Sequence, residues 1–246
     1  MAIAATHILT NASVAGASSY VTASGSPTTG RLQLLTVGNQ CAAATVNVPT
    51  VTGAGLTWVL VATQVSGDNV RRVSIFRAMG TASAGALTID MAGQTQIRAG
   101  WSWSEFSGTD VSGTNGSGAI VQSATGKWDV GDGAKTGITV TLGAFGSPNN
   151  ATYGGIRFGT LTGQVVTVGT GFTQLGSVLA SVNYQSEYTL SNDTTVDWTY
   201  PSEATYTQAA ACEIKALVPA PTPGRSGGLS NLADLSNLTL RVIPQQ

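Results

Sequence analysis

One histidine, twelve carboxylate side chains and two cysteines are the inventory from which any catalysis would be built. A Ser-His-Asp or Cys-His arrangement needs a histidine placed by the fold. The single candidate, His7, lies close to the first residue, where a surface or edge-strand position is the simpler expectation. Glycoside hydrolysis needs two carboxylates facing each other across ~5–9 Å. Glu105 follows Trp101 and Trp103 on one face of an alternating run, an acid beside an aromatic platform, with Asp110 and Glu187 as its possible counterparts. An ion pair with Arg98 or Arg77 is a plainer role for it. Asp129-Val130-Gly131-Asp132-Gly133 has the closely spaced carboxylates of a calcium loop but not the further aspartates or the closing glutamate, so it reads as a polar turn. Cys41 and Cys212 cannot complete a tetrahedral zinc site. Cys212 shares its alternation parity with Tyr206 and Ile214, which predicts a buried thiol, with a Cys41–Cys212 disulfide as the alternative. The expectation is a protein that is not an enzyme and holds no metal or cofactor.

Tryptophans offer a binding chemistry, since indole faces stack on sugars. Of Trp58, Trp101, Trp103, Trp128 and Trp198, Trp128 stands between Lys127 and Asp129 and is the candidate glycan contact; Trp101 and Trp103 are expected in the core. The net charge of −1 and scattered basic residues, with only Arg71 and Arg72 adjacent, argue against nucleic acid or an anionic membrane as partner. No apolar run approaches the ~18 residues of a membrane-spanning helix. The opening residues, Met1 to His7, lack the basic stretch and apolar core of a secretion signal, which points to a product kept in the cytosol or assembled into a particle. Asn-x-Ser/Thr triplets at Asn11, Asn115, Asn150, Asn192 and Asn237 are what a chain rich in these residues produces by chance.

The elements that must position these residues read as strands. Runs rich in β-branched and aromatic residues, bounded by Gly, Asn, Asp and Ser, occur at Arg31 to Val37, Thr57 to Gln64, Arg71 to Ala78, Ala86 to Met91, Ile97 to Phe106, Ala119 to Ser123, Ile138 to Leu142, Ala151 to Phe158, Phe172 to Leu179, Val182 to Leu190, Thr194 to Thr199 and Thr205 to Leu217. Hairpin-length connections without amphipathic helices exclude a parallel α/β sheet. No blade-length period suggests a propeller. That leaves a sandwich, jelly roll or barrel; the predicted fold is all-β, a two-sheet antiparallel β-sandwich over residues 1–217, and charged residues at 9% suit a chain that sits among neighbours. In Arg72 to Ala78 neither alternating face is purely polar, which predicts a strand covered on both sides.

Residues 218–228 change character, with Pro219, Pro221 and Pro223 followed by Gly224, Gly227 and Gly228, the composition of a spacer of limited stiffness. Beyond it, residues 229–246 form an arm carrying Leu229, Leu232, Leu235, Leu238, Leu240, Val242 and Ile243, too apolar to stand alone in water and expected to dock on a neighbouring subunit. Burying five leucines at ~1.5–3 kcal/mol each would offset the cost of ordering so short a segment.

Gly55-Leu56-Thr57-Trp58, the strand Arg72-Val73-Ser74-Ile75-Phe76-Arg77-Ala78 and the segment Trp103-Ser104-Glu105-Phe106-Ser107-Gly108-Thr109-Asp110, with the small-residue stretch Thr114 to Ile120 behind them, together resemble a jelly-roll domain of tailed-bacteriophage virion proteins, also found in some secreted bacterial proteins. Phe76 stands where that group usually has tryptophan, and the likeness covers roughly residues 30–216. The resemblance implies a structural component of a virion, a capsid decoration or minor tail protein. Other virion proteins and further copies of the chain would be its partners. A carbohydrate-binding or host-adhesion module is the alternative.

Overall fold

The computed structural model describes residues 2–42, 45–133, 135–159, 165–179, 182–204 and 206–218. No helix there is long and apolar enough to cross a membrane. In the first half of the chain β1 (Ala4–Ser13), β3 (Leu32–Cys41), β6 (Val59–Val65), β7 (Arg71–Ala78) and β9 (Gln96–Ser107) form a sheet ordered β1-β9-β3-β7-β6. β2 (Ser19–Val21), β4 (Thr50–Gly53), β5 (Leu56–Thr57) and β8 (Leu87–Asp90) form a second sheet, β2-β8-β4-β5. In the second half β10 (Ile120–Trp128), β12 (Ala151–Gly159), β14 (Thr173–Val178), β15 (Tyr184–Thr189) and β17 (Tyr206–Ile214) run in the order β10-β17-β12-β15-β14, and β11 (Lys135–Thr141), β13 (Thr167–Val168) and β16 (Thr195–Ala204) in the order β11-β16-β13. The pairings are antiparallel.

The all-β antiparallel sandwich expected from the sequence is thus observed, with one correction: the described residues form four sheets, not two. Alternation along the strands explains the layering. On β3, Leu35 and Val37 point with Trp101, Trp103 and Phe76 toward Leu87 and Ile89 of the outer sheet, while Leu32 and Leu34 point with Ile75 and Phe106 toward Tyr153, Cys212 and Ile214 of the other five-stranded sheet. Ile156, Phe158, Ala209 and Ala211 face Ile138, Val196 and Trp198 of the last sheet. The two five-stranded sheets therefore lie inside, covered on both faces, which is why neither face of β7 is purely polar.

The first half has the strand order of a jelly roll with one extra strand, β6, on the inner sheet, and the second half repeats it with β14 as the extra strand, except that among the described residues its outer sheet has no counterpart of β5. Their registers also correspond. Thr36 lies opposite Ser102 and Ile75, and Gly155 opposite Ala210 and Ser186. Counting from that pair, the bulge that leaves Val61 unpaired in β6 falls at the same place as the one that leaves Leu175 unpaired in β14. Contacts between the halves are reciprocal, as an approximate two-fold axis requires: β1 packs on β14 and β6 on β10. The inner sheets approach closely where side chains are small. A Cβ on Gly155 would sit 2.5 Å from Thr36 Cγ2, and one on Gly38 3.2 Å from the Tyr184 ring. Hydrogen bonds cross the seam between the Thr36 and Tyr153 hydroxyls (2.7 Å) and from Ser186 Oγ to Ser102 Oγ (2.9 Å).

Candidate functional site

Glu105 is held by the first jelly roll as an acceptor with its lone pairs occupied. It is 4% exposed and receives the Thr28 N–H (2.7 Å), Thr28 Oγ1 (2.9 Å), Arg31 Nη1 (2.7 Å) and Gln33 Nε2 (3.1 Å). Burial alone would raise its pKa, but the bonds from Thr28 and Gln33 and the charge of Arg31 outweigh it and the pKa is lowered. The expected partner, Arg98 or Arg77, is corrected to Arg31, the residue that enters β3 beside the end of β9. In the second half Glu213 occupies the equivalent position and receives Gln122 Nε2 (2.6 Å) and Asn150 Nδ2 (2.5 Å), Asn150 standing where Arg31 stands in the first. A glutamate clamping the entry of the third jelly-roll strand is a structural device used twice.

Neither counterpart carboxylate meets Glu105. Asp110 pairs with Lys215 at 2.7 Å, and the Lys215 and Ser112 hydrogen bonds lower its pKa to about 2. Glu187 is enclosed in the second half, accepting the Gly169 N–H at 3.2 Å through Oε2, and burial pushes its pKa up to about 9. It takes the register position that Phe76 takes in the first half.

His7 lies on the edge strand β1, its Nδ1 3.3 Å from Ser104 Oγ and its Nε2 3.0 Å from Thr10 Oγ1. Ser104 is fully buried, so this contact presents no nucleophile to solvent, and burial lowers the histidine pKa. Asp129 opens a 3-10 turn, accepts the Gly67 N–H (2.6 Å) and pairs with Lys127 (2.8 Å). Among the described residues no cluster of three or more His, Cys, Asp or Glu is placed to hold a metal. Cys41 and Cys212 are buried free thiols, and burial pushes the Cys212 pKa up to about 12.

Trp101 and Trp103 lie in the first half's core, and the Trp103 indole N–H donates to Gln33 Oε1 at 2.9 Å. Trp128 is half-buried. Its N–H donates to the Gly137 carbonyl at 2.9 Å and the Lys135 ammonium sits 4.9 Å from its ring centre, so one face of the proposed sugar platform already carries a cation.

Two features escaped the sequence. Arg157 is fully buried between the halves, donating to Gln40 and Gln208, and burial together with the charges of Arg71 and Arg98 lowers its pKa to about 9. Its position within a run of glycines and aromatics hides it, because nothing local marks it as interior. The second is a groove of about 710 Å³ where the described chain ends, lined by Ile120, Val121, Asn149, Asn150, Leu217 and Val218 among others. The docking residues expected from the sequence, Leu229, Leu232, Leu235, Leu238, Leu240, Val242 and Ile243, lie outside the described residues.

Comparison with protein-family models, with curated proteins and with solved structures finds no match to this chain. The class defined by fold and site is a tandem, back-to-back pair of jelly rolls.

Proposed function

We propose that this protein is a non-enzymatic structural component of a bacteriophage virion, a capsid decoration or minor tail protein, attached to its neighbours through the arm at residues 229–246. The observation that carries the reading is the contrast between the two ends of the ionisable inventory and the apolar groove. Glu105, Glu213, Asp110 and Asp129 are tied into turns and strand entries, whereas Val121 (50% exposed) and Val218 (75% exposed) stand open at the groove. The virion setting rests on the resemblance carried by Gly55 to Trp58, Arg72 to Ala78 and Trp103 to Asp110. Mass spectrometry of purified particles tests it. The chain should be present at a fixed copy number, in the hundreds for capsid decoration or tens for a tail, and Leu232→Asp/Leu235→Asp should abolish its incorporation. Wild-type incorporation of that variant refutes the role of the arm, and absence of the chain from particles refutes the setting.

A further inference from the structure

The approximate two-fold axis makes the groove informative, because the same place in the first jelly roll can be inspected. Strand ends meet across that axis: Thr109 bridges Ala216, and the Leu217 N–H donates to the Gly108 carbonyl at 2.8 Å. In the first half the residue two positions before Ala5 is Ile3, 5% exposed and packed in the core. In the second half the residue two positions before the equivalent Ile120 is Gly118, where Ser112 packs so close that a Cβ would clash with its Oγ and no apolar side chain can stand as Ile3 does, and Gly118 lines the groove. The chain leaving β9 then folds back over its own jelly roll, placing Gly116 against Leu32 and Met79. Met79 is partly buried, whereas Leu190, its counterpart after β15, is 47% exposed.

That return path depends on positive φ angles at Gly113 (76°), Asn115 (53°) and Gly116 (79°). Continuing the register by which Glu105 matches Glu213, the positions after β17 that correspond to Gly113 and Asn115 are Pro221 and Pro223. Proline's ring fixes φ near −65° and forbids both turns. Alternating prolines instead favour an extended course, ~3.1 Å per residue. Among the described residues nothing covers the groove, and the prolines exclude from the chain's own continuation the turn that covers the first half.

We infer that the groove lined by Ile120, Val121, Leu217 and Val218 receives the segment Leu229–Ile243 of a second copy of this chain. The inference rests on the arm reading above and names its acceptor. Groove and arm are different surfaces of one chain, so the contact is heterologous and propagates head to tail into a ring or filament. Val121, half exposed and at the groove, can be charged without touching the core.

Three full-length proteins, the wild type and two variants, test this by sedimentation and light scattering, with circular dichroism to confirm folding. Wild type should associate. Val121→Asp (arm intact, groove blocked) and Leu232→Asp/Leu235→Asp (groove intact, arm blocked) should each be monomeric, their association weakened at least about tenfold. Mixed, the two should give a 1:1 dimer and nothing larger, because one intact arm meets one intact groove. Association of Val121→Asp at wild-type strength overturns the groove while leaving the arm reading in place. Wild-type association of the arm variant overturns both. A monomeric wild type, whether the segment folds on its own groove or stays free, overturns the inference, as does a mixture that remains monomeric.

Discussion

Replacing Glu187 with glutamine should change the pH dependence of stability more than stability itself. The carboxyl group is fully enclosed between β15 and the outer sheet, with one N–H donated to it by Gly169 and its Oε1 unpaired. Burial, and secondarily the charge of Asp197, raise its pKa from 4.5 to about 9. Between those values the folded protein keeps a proton that the unfolded chain releases, so the group's contribution is fully present below pH 4.5 and is lost as pH rises toward 9. Each unit is worth ~1.4 kcal/mol, so the loss from pH 5 to pH 8 is at most about 4 kcal/mol. Asp197, also raised by burial, adds to the same slope, and His7, lowered by burial, opposes it below the ordinary imidazole value of 6.5. Both are retained in Glu187→Gln, so the difference between the two proteins isolates Glu187. Urea unfolding at pH 5, 6, 7 and 8 and constant ionic strength should show the variant gaining on wild type at every step, from a small difference at pH 5 to about 3–4 kcal/mol at pH 8. A stability difference that stays constant across those four pH values would refute the reasoning, since Glu187 would then be ionised in the folded state or accessible to water.

Gly155→Ala should destabilise by at least about 1–3 kcal/mol, measured by urea unfolding, because its Cβ meets Thr36 at 2.5 Å in the seam between two inner sheets that have no solvent side to yield toward. Trp103→Ala should cost about 3–5 kcal/mol by the same measurement, removing a fully buried indole and orphaning Gln33 Oε1; a loss under 1 kcal/mol would contradict its core placement. Cys41 and Cys212 should resist a thiol reagent in the native protein at pH 8 and react together once it is unfolded, the Cys212 thiol being held protonated by burial; rapid native labelling of either would contradict the enclosed positions.

An inner strand was legible in Arg72 to Ala78, because a strand covered on both faces has no purely polar side, even though this one carries Arg72 and Arg77. The first strand, Ala4–Ser13, was missed: it is an edge strand of exposed and half-buried residues, rich in alanine and threonine, in which Ile8 and Leu9 stand side by side and show no alternation. The run from Thr57 to Gln64 was one strand by composition but is divided at Trp58, whose ring packs at 5.9 Å from Trp103 while Val59 begins a strand of the inner sheet. Glu105 was singled out correctly as a residue that needs an ion-pair partner, but the partner, Arg31, lies 74 positions away and no spacing rule reaches it.

By itself the sequence determined that the protein is built of antiparallel strands, that Trp101 and Trp103 share a face, and that the composition changes after Leu217, since these follow from side-chain periodicity and local backbone chemistry. The duplication was decided only in three dimensions. Along β9 and β17 the sole matching residue type from Arg98 to Ser107 is the glutamate at Glu105 and Glu213, because the two halves fill equal space with exchanged volumes. Where β9 contributes Trp101 and Trp103 against Ile89, β17 contributes Ala209 and Ala211 against Trp198, and the Trp198 ring also takes up the space that Gly154 leaves open. Packing conserves the sum of volumes across facing sheets, not the residue at any one position, so the repeat is written in register and bulges and cannot be read from the letters.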